Sequence, residues 1–476
     1  MRLLRSSLAT LFAAVLLCVT CAVPRSYAQS ISLIRDSEIE HTIRSYVDPI
    51  FRAAGLDPAS ISIYLVNDPN INAFVSGGQN LFINTGTILQ LDRPRELIGI
   101  LAHETGHIAG GHLVRTAGAM ESATVPMIIG TLLGIAAAAG GAADAGIGIM
   151  MGGQQIAQRS LYAFTRGQES SADQAAVTFL DATHQSARGL LETFELFSGQ
   201  EVLSSQRMDP YVLTHPLSRE RIAALENRVS QSPYSNADES DEQKRSFSRI
   251  KAKLYGFMMR LDQVMRQYPE SDTSIDARYA RAIAHYRVPD VKTAVAEADT
   301  LIADEPNNPF FHELKGQILF ENGHVNEAVP EYAETVRLMP NESLFTSAYG
   351  QVLLATDRPG DVKPAIAVLE RSLRDDPTNS LSWHQLAIGY ARENRIGMAE
   401  LATAERLALG PNIMEAAQHA VIAACGLEKG SPAWQRAMDI VDAARNTRRN
   451  GGFLGHGDSD QPPPPEGLRC SGSPRG

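Results

Sequence analysis

The chain has 476 residues, enough for two or three domains with a sizeable core. It carries 43 Lys and Arg against 54 Asp and Glu, a net charge of −11. That balance excludes a general nucleic-acid binder, which would present a basic face.

Residues 1–28 read as an export signal. Arg2 and Arg5 precede an apolar run from Leu8 to Ala22, and Ser26-Tyr27-Ala28 is a small-x-small cleavage site. The mature chain is therefore expected to start at Gln29. The apolar run is short of the ~20 residues a membrane span requires. Removing it leaves Cys425 and Cys470, which an oxidising compartment permits to pair.

A helix is expected over 36–54. Strands are expected over 62–66 and 80–84, where β-formers are flanked by turn residues. The stretch 94–107 then carries the chemistry. Pro94 suits a first helical turn, and Leu97, Ile98, Ile100 and Leu101 recur at helical spacing. It ends in His103-Glu104-Thr105-Gly106-His107. Positions four apart share a helix face, so both imidazoles can reach one cation about 2 Å away. Glu104 lies one step round, placed to take a proton from a metal-bound water. The alternative is a chance pair of buried or surface histidines.

Catalytic zinc usually keeps three protein ligands and one open position, so a third ligand is needed. His112 is nine residues from His103. If the helix continues, about 900° of rotation leaves it on the opposite face, unsuited to the metal. Gln168-Glu169-Ser170-Ser171-Ala172-Asp173 is the second candidate. Glu169 and Asp173 share a helix face. Glu169 suits a carboxylate ligand, and Asp173 an acceptor for the outer N–H of a zinc histidine. Taken alone, the pair also reads as a solvated acidic face.

Residues 125–151 are apolar and rich in Gly and Ala, with Gly140-Gly141 as a break. They are expected to form a helical hairpin or lid that touches a membrane or an unfolded client. A core helix and a transmembrane span are the alternatives. Helices follow over 158–198, and the polar stretch 230–244 reads as a linker.

A repeat comes next. Ala294, Ala328, Ala365 and Ala399 are spaced by 34, 37 and 34 residues. Pro306, Pro340, Pro377 and Pro411 repeat those spacings twelve residues later, and the three extra residues fall in the turn Asp357-Arg358-Pro359-Gly360. A 34-residue period with small residues at helix crossings marks tetratricopeptide helix pairs, which stack into a curved array with a concave face. The stretch 250–268 reads as a further degenerate pair, and the Gly- and Pro-rich end from 446 as disordered.

His103-Glu104-x-x-His107 followed by Glu169-x-x-Ala172-Asp173 resembles the M48 metallopeptidases. Asn72-Ala73-Phe74, the segment from Gly77 to Gly86, and Thr214-His215-Pro216 with Arg221-Ile222 are similar to further segments of that family. With the repeats, the resemblance extends from about Leu33 to Leu409 and points to M48 proteases with a tetratricopeptide tail. The fold expected is mostly α (α+β). It has a zincin-like domain with a small β-sheet over 29–229, a linker over 230–244, an α–α superhelical array over 245–445 and a tail over 446–476.

The resemblance implies an exported, periplasmic zinc endopeptidase with one Zn2+ per chain, held by His103, His107 and Glu169. Glu104 would be the general base, Asp173 would support a ligand, and a sheet edge would hold the peptide. Clients would be misfolded or stalled outer-membrane proteins. The arm would bind them or the outer-membrane assembly machinery. It also implies His215 at the fourth zinc position, holding the enzyme latent; a histidine that assists the transition state is the alternative. Two other classes stay open: a chaperone or adaptor with a vestigial zinc site, and a zinc hydrolase of non-peptide substrates.

Overall fold

The computed structural model describes residues 32–139, 143–197 and 210–451. The expected signal segment, Cys470 and the tetraproline end lie outside the described residues. The amino-terminal half holds strands β1 (Leu33–Ile34), β2 (Ser62–Val66), β3 (Ala73–Ser76) and β4 (Asn80–Asn84), in spatial order β1-β2-β4-β3. β2 and β4 run parallel, and the outer pairs are antiparallel. Two of these strands match the expected ones; β1 and the edge strand β3 are additional. Side chains alternate across the sheet. Ile63, Leu65, Leu81 and Ile83 are buried, while Tyr64, Phe82 and Phe74 stack on the other face.

Helix α1 (Ser37–Ala53) starts where the Asp36 carboxylate accepts from the Ile39 N–H, a side-chain N-cap. It buries Ile39, Ile43, Val47, Ile50 and Phe51. After the short α2 (Thr85–Gln90) comes α3 (Pro94–Ala109), whose Leu97, Ile100 and Leu101 are fully buried. The expected hairpin is formed by α4 (His112–Ala139) and α5 (Ala143–Ala182). Its apolar window, His112–Ile135, is long and apolar enough to cross a membrane by length and composition, yet only 12% of it is buried. The core-helix alternative therefore fails: Val125, Ile128, Ile129, Leu132 and Leu133 are exposed. Helices α6 (Arg188–Leu196), α7 (Pro210–Thr214) and α8 (Arg219–Gln231) complete this half.

The stretch 230–244 departs from the linker expected of it. Ser235 accepts at its carbonyl from the Ser186 hydroxyl at 2.7 Å, and Arg93 Nε donates to Glu239 at 3.0 Å. A polar stretch reads as a tether when its groups face water; here Ser235 and Glu239 bond to the preceding domain. The next helix, α9 (Asp241–Met258), buries Phe247, Ile250 and Leu254 in the same apolar cluster as α1, Leu97 and Phe194. The two halves thus share a core.

After α10 (Leu261–Gln267), the helices pair as the repeat predicts: α11 (Ile275–Arg287) with α12 (Val291–Asp304), α13 (Pro309–Glu321) with α14 (Val325–Leu338), α15 (Ser343–Ala355) with α16 (Pro359–Asp375), and α17 (Ser380–Arg392) with α18 (Ile396–Ala408). The four register alanines lie near the start of each second helix and are buried. Asp357 takes φ +55 in the turn that absorbs the extra residues. A final pair, α19 (Ile413–Gly426) and α20 (Pro432–Gly451), runs past the expected boundary at 446. Cys425 on α19 is disulfide-bonded, and no other cysteine lies among the described residues.

The segment entering α1 lies against the array. Lys253 on α9, almost fully buried, stands 2.8 Å from Asp36 and 3.3 Å from Glu38. The Tyr279 hydroxyl on α11 donates to Glu38 at 2.6 Å, and Arg35 reaches Asp376 at 3.5 Å.

Candidate metal centre

Helix α3 is held inside the fold by its apolar face, so the polar residues it carries are buried with it. His103 and Glu104 are fully enclosed and His107 is half-buried. Gly106, between the two histidines, decides what can approach. A Cβ there would lie 2.8 Å from the Ala172 carbonyl oxygen, so only glycine lets α3 and α5 come this close. That contact brings Glu169 against the histidines. His107 Nε2 is 3.1 Å from His103 Nε2 and 3.4 Å from Glu169 Oε1, and His103 Nε2 is 3.4 Å from Glu169 Oε2. Metal–ligand bonds of about 2.0–2.1 Å would set the corners of a tetrahedron roughly 3.3–3.4 Å apart. The three side chains stand at about that spacing, each Glu169 oxygen facing one ring, which suits a metal of zinc's size.

His215 adds a fourth donor to the group. Its Nδ1 lies 3.3 Å from His103 Nε2 and 3.2 Å from Glu169 Oε2. One donor atom from each of His103, His107, Glu169 and His215 lies within 4.8 Å of the others. His215, directly ahead of Pro216, is buried. Its N–H bonds the Tyr211 carbonyl at 2.8 Å, and its Nε2 is 3.3 Å from the Ala73 carbonyl of β3. The segments around 72–74 and 214–216, distant in sequence, thus meet at the edge of the sheet.

Asp173 lies one turn after Glu169, and its Oδ1 stands 2.9 Å from His103 Nδ1, the outer ring nitrogen. Sequence reasoning missed the group behind it. Arg221 on α8 clamps Asp173 with two hydrogen bonds, Nε to Oδ2 at 2.5 Å and Nη2 to Oδ1 at 2.8 Å. Its Nη1 is 2.9 Å from Glu169 Oε2 and donates to the Pro216 carbonyl at 3.1 Å. One guanidinium therefore ties Glu169, Asp173 and the His215 segment together. Arg221-Ile222 is legible as a family segment, but no local spacing links it to Asp173.

His112 stays outside the four-residue donor cluster, as expected, but not on the opposite face. Helix α3 stops at Ala109 because Gly111 turns to φ +60, so α4 starts in a new direction. His112 is buried, with its Nδ1 2.9 Å from His107 Nδ1.

Burial disfavours charge throughout, and neighbours decide which groups keep it. It works against a charged His103, but Asp173 and Glu169 prevail and raise that ring to about 9. His107 is lowered to about 2 by burial and then by the charge on His103. Glu169 is lowered despite burial by its contacts with His103 and His215, and Asp173 is lowered, against burial, chiefly by Arg221. Burial raises Glu104, whose Oε1 makes no hydrogen bond and lies 3.3 Å from His215 Nε2. A neutral His107 beside an ionised Glu169 suits a cation, which would displace the proton of His103. Glu104 Oε1 faces the same cluster through His215.

Residues 35–229 match the model of Peptidase family M48. The chain carries an M48 peptidase domain and is a metallopeptidase. The beta-barrel assembly-enhancing protease of Escherichia coli (strain K12) is 24% identical to it over 432 residues, 88% of this chain and 86% of that protein. A Vibrio cholerae serotype O1 protein, named provisionally as the same protease, is 27% identical over 393 residues, 80% of this chain and 78% of its own. The crystal structure of YrrB, described as a TPR protein with an unusual peptide-binding site, is 16% identical. It covers 36% of this chain and 89% of its own at a TM-score of 0.31. The M48 domain here precedes an array of helix pairs that its own packing defines.

Proposed function

We propose that this M48 protein is an exported zinc endopeptidase that cleaves misfolded or stalled outer-membrane proteins in the periplasm. The clustering of His103, His107, Glu169 and His215, with one donor atom from each within 4.8 Å of the others, carries the reading. His103, His107 and Glu169 would hold one zinc ion. Zinc, when bound, supplies a Lewis acid that acidifies water and polarises the scissile carbonyl. Glu104 takes the proton of the attacking water and returns it to the leaving amine. Its raised pKa, set first by burial, suits a group that must both accept and give a proton. The open side of β3 adds the client as an extended strand, positioned by main-chain hydrogen bonds. His215, against the β3 carbonyl of Ala73 and at the fourth corner, blocks this site until the 214–216 segment moves.

The relatives are named for enhancing β-barrel assembly, which supports envelope clients. The arm is read as the surface that engages them or the assembly machinery. The exposed apolar face of α4 is read as a peripheral membrane or client contact over 125–151. The competing reading, a chaperone or adaptor with an unused metal site, rests on the same arm. Glu104→Gln separates the two. It is expected to keep its metal and to abolish cleavage of an unfolded outer-membrane protein. Unaltered client turnover in that variant would defeat the peptidase mechanism.

A further inference from the structure

A continuous α3 would carry His112 to the face opposite the ligands. The Gly110-Gly111 turn folds it back instead, and its ring stands edge-on to His107, with centroids 4.9 Å apart and planes at 82°. We propose that His112 is a positioning residue for the metal site: its Nδ1 accepts the Nδ1–H of His107 and locks the tautomer that presents His107 Nε2 to the metal. The proposal rests on the reading of His103, His107 and Glu169 as ligands.

The nitrogens assign themselves. His107 Nε2 faces His103 Nε2 and Glu169 Oε1, so it is the metal-facing atom. A neutral imidazole has one N–H and one lone pair. If Nε2 gives its lone pair to the metal, Nδ1 carries the hydrogen and needs an acceptor. His112 Nδ1 is 2.9 Å away. His112 then carries its own proton on Nε2, and Gly110 makes the room for it. A Cβ at position 110 would lie 2.4 Å from that atom.

The main chain of His112 is held by two side chains. Its carbonyl accepts from Thr116 Oγ1 at 2.8 Å and from Gln168 Nε2 at 3.0 Å. Gln168 directly precedes Glu169, so α5 sets both the carboxylate ligand and the support of His107. The two ligand histidines are thus backed unequally. His103 has a carboxylate behind it, itself held by an arginine, whereas His107 has a neutral ring. Partners of this kind orient a ligand and raise its basicity, and their loss typically costs ~10–100-fold in metal affinity.

The test titrates zinc into the metal-free full-length mature protein against a chromophoric chelator, for the parent, His112→Phe and His112→Gln. Circular dichroism melts check that each is folded. The Phe variant fills the space without accepting a hydrogen bond, and its affinity is expected to fall ~10-fold or more. The Gln variant keeps an acceptor and should recover most of the loss. A Phe variant that binds as tightly as the parent, or a Gln variant that falls as far as Phe, overturns the role of His112. A parent that binds no zinc overturns the ligand reading itself. Should a variant fail to fold, long-range 1H–15N spectra of the zinc-loaded, 15N-histidine-labelled parent decide: a proton on His112 Nδ1 defeats the proposal, and a proton on His107 Nδ1 facing a bare His112 Nδ1 upholds it.

Discussion

At the residue scale, the two acids of α5 do different work, and their variants should separate it. Glu169→Ala removes a donor from the cluster, so metal content should fall steeply and cleavage with it. Full metal content in the purified variant would rule Glu169 out as a ligand. Asp173→Asn leaves the donors in place, and ~10–100-fold in affinity or activity is the expected scale. Its cost to the fold should be the larger one, because Arg221 then loses a buried ionised partner. Breaking a buried pair costs about 3–5 kcal/mol, so a thermal melt should register Asp173→Asn more strongly than its metal titration does. His215 differs again, in sign. A latch predicts that His215→Ala cleaves client and itself faster at matched metal content. A transition-state helper predicts slower cleavage, and a drop in both rates would end the latch reading.

At the element scale, the site depends on two helices touching through a glycine. Gly106→Ala places a methyl group 2.8 Å from the Ala172 carbonyl, and backbone must move. Overpacking of this kind costs about 1–3 kcal/mol, and the displaced α5 carries Glu169 away from the histidines. The expected result is a lowered melting temperature together with weakened metal binding. Gly167, on the same α5, is the control: a Cβ there meets nothing within 4 Å. Gly167→Ala should leave metal binding alone and stabilise the helix by roughly 0.5–1 kcal/mol. Equal metal affinity in the two variants would mean that the α3–α5 approach does not set the site.

At the scale of the whole molecule, the repeat arm is a continuation of the peptidase core. A chain ending at Glu239 would lose Phe247, Ile250 and Leu254, whose side chains are almost wholly buried against the first domain. Large-to-small changes at such sites cost about 2–5 kcal/mol each, so a fragment of 29–239 is expected to be poorly soluble and to hold metal badly. A fragment of 29–268 keeps α9 and α10 and should bind metal with a cooperative melt. If the shorter fragment binds metal as well as the full chain, the shared core is dispensable. Coupling of this kind has a functional side. The segment entering α1 reaches Lys253, Tyr279 and Asp376 along the array, so a load on the arm is also a load on the peptidase domain.

What the sequence by itself determined is what repeats locally. Imidazoles four apart on α3, acids four apart on α5, strands of alternating side chains and a 34-residue period are set by the pitch of one helix or strand and the size of one helix pair. Each can be read without knowing what lies opposite. What only the tertiary structure decided is where separate elements meet. His215 reaches His103 across 112 residues, and Arg221 reaches Asp173 across 48. His112 was misplaced because one glycine at positive φ ended a helix whose periodicity read as continuous. The 230–244 stretch read as solvated because composition counts polar groups but not their partners, and the partners sit on Arg93 and Ser186, far back in the chain. Backbone pitch is a property of neighbours in sequence, whereas the approach of His215, the clamp of Arg221 and a shared core are properties of neighbours in space.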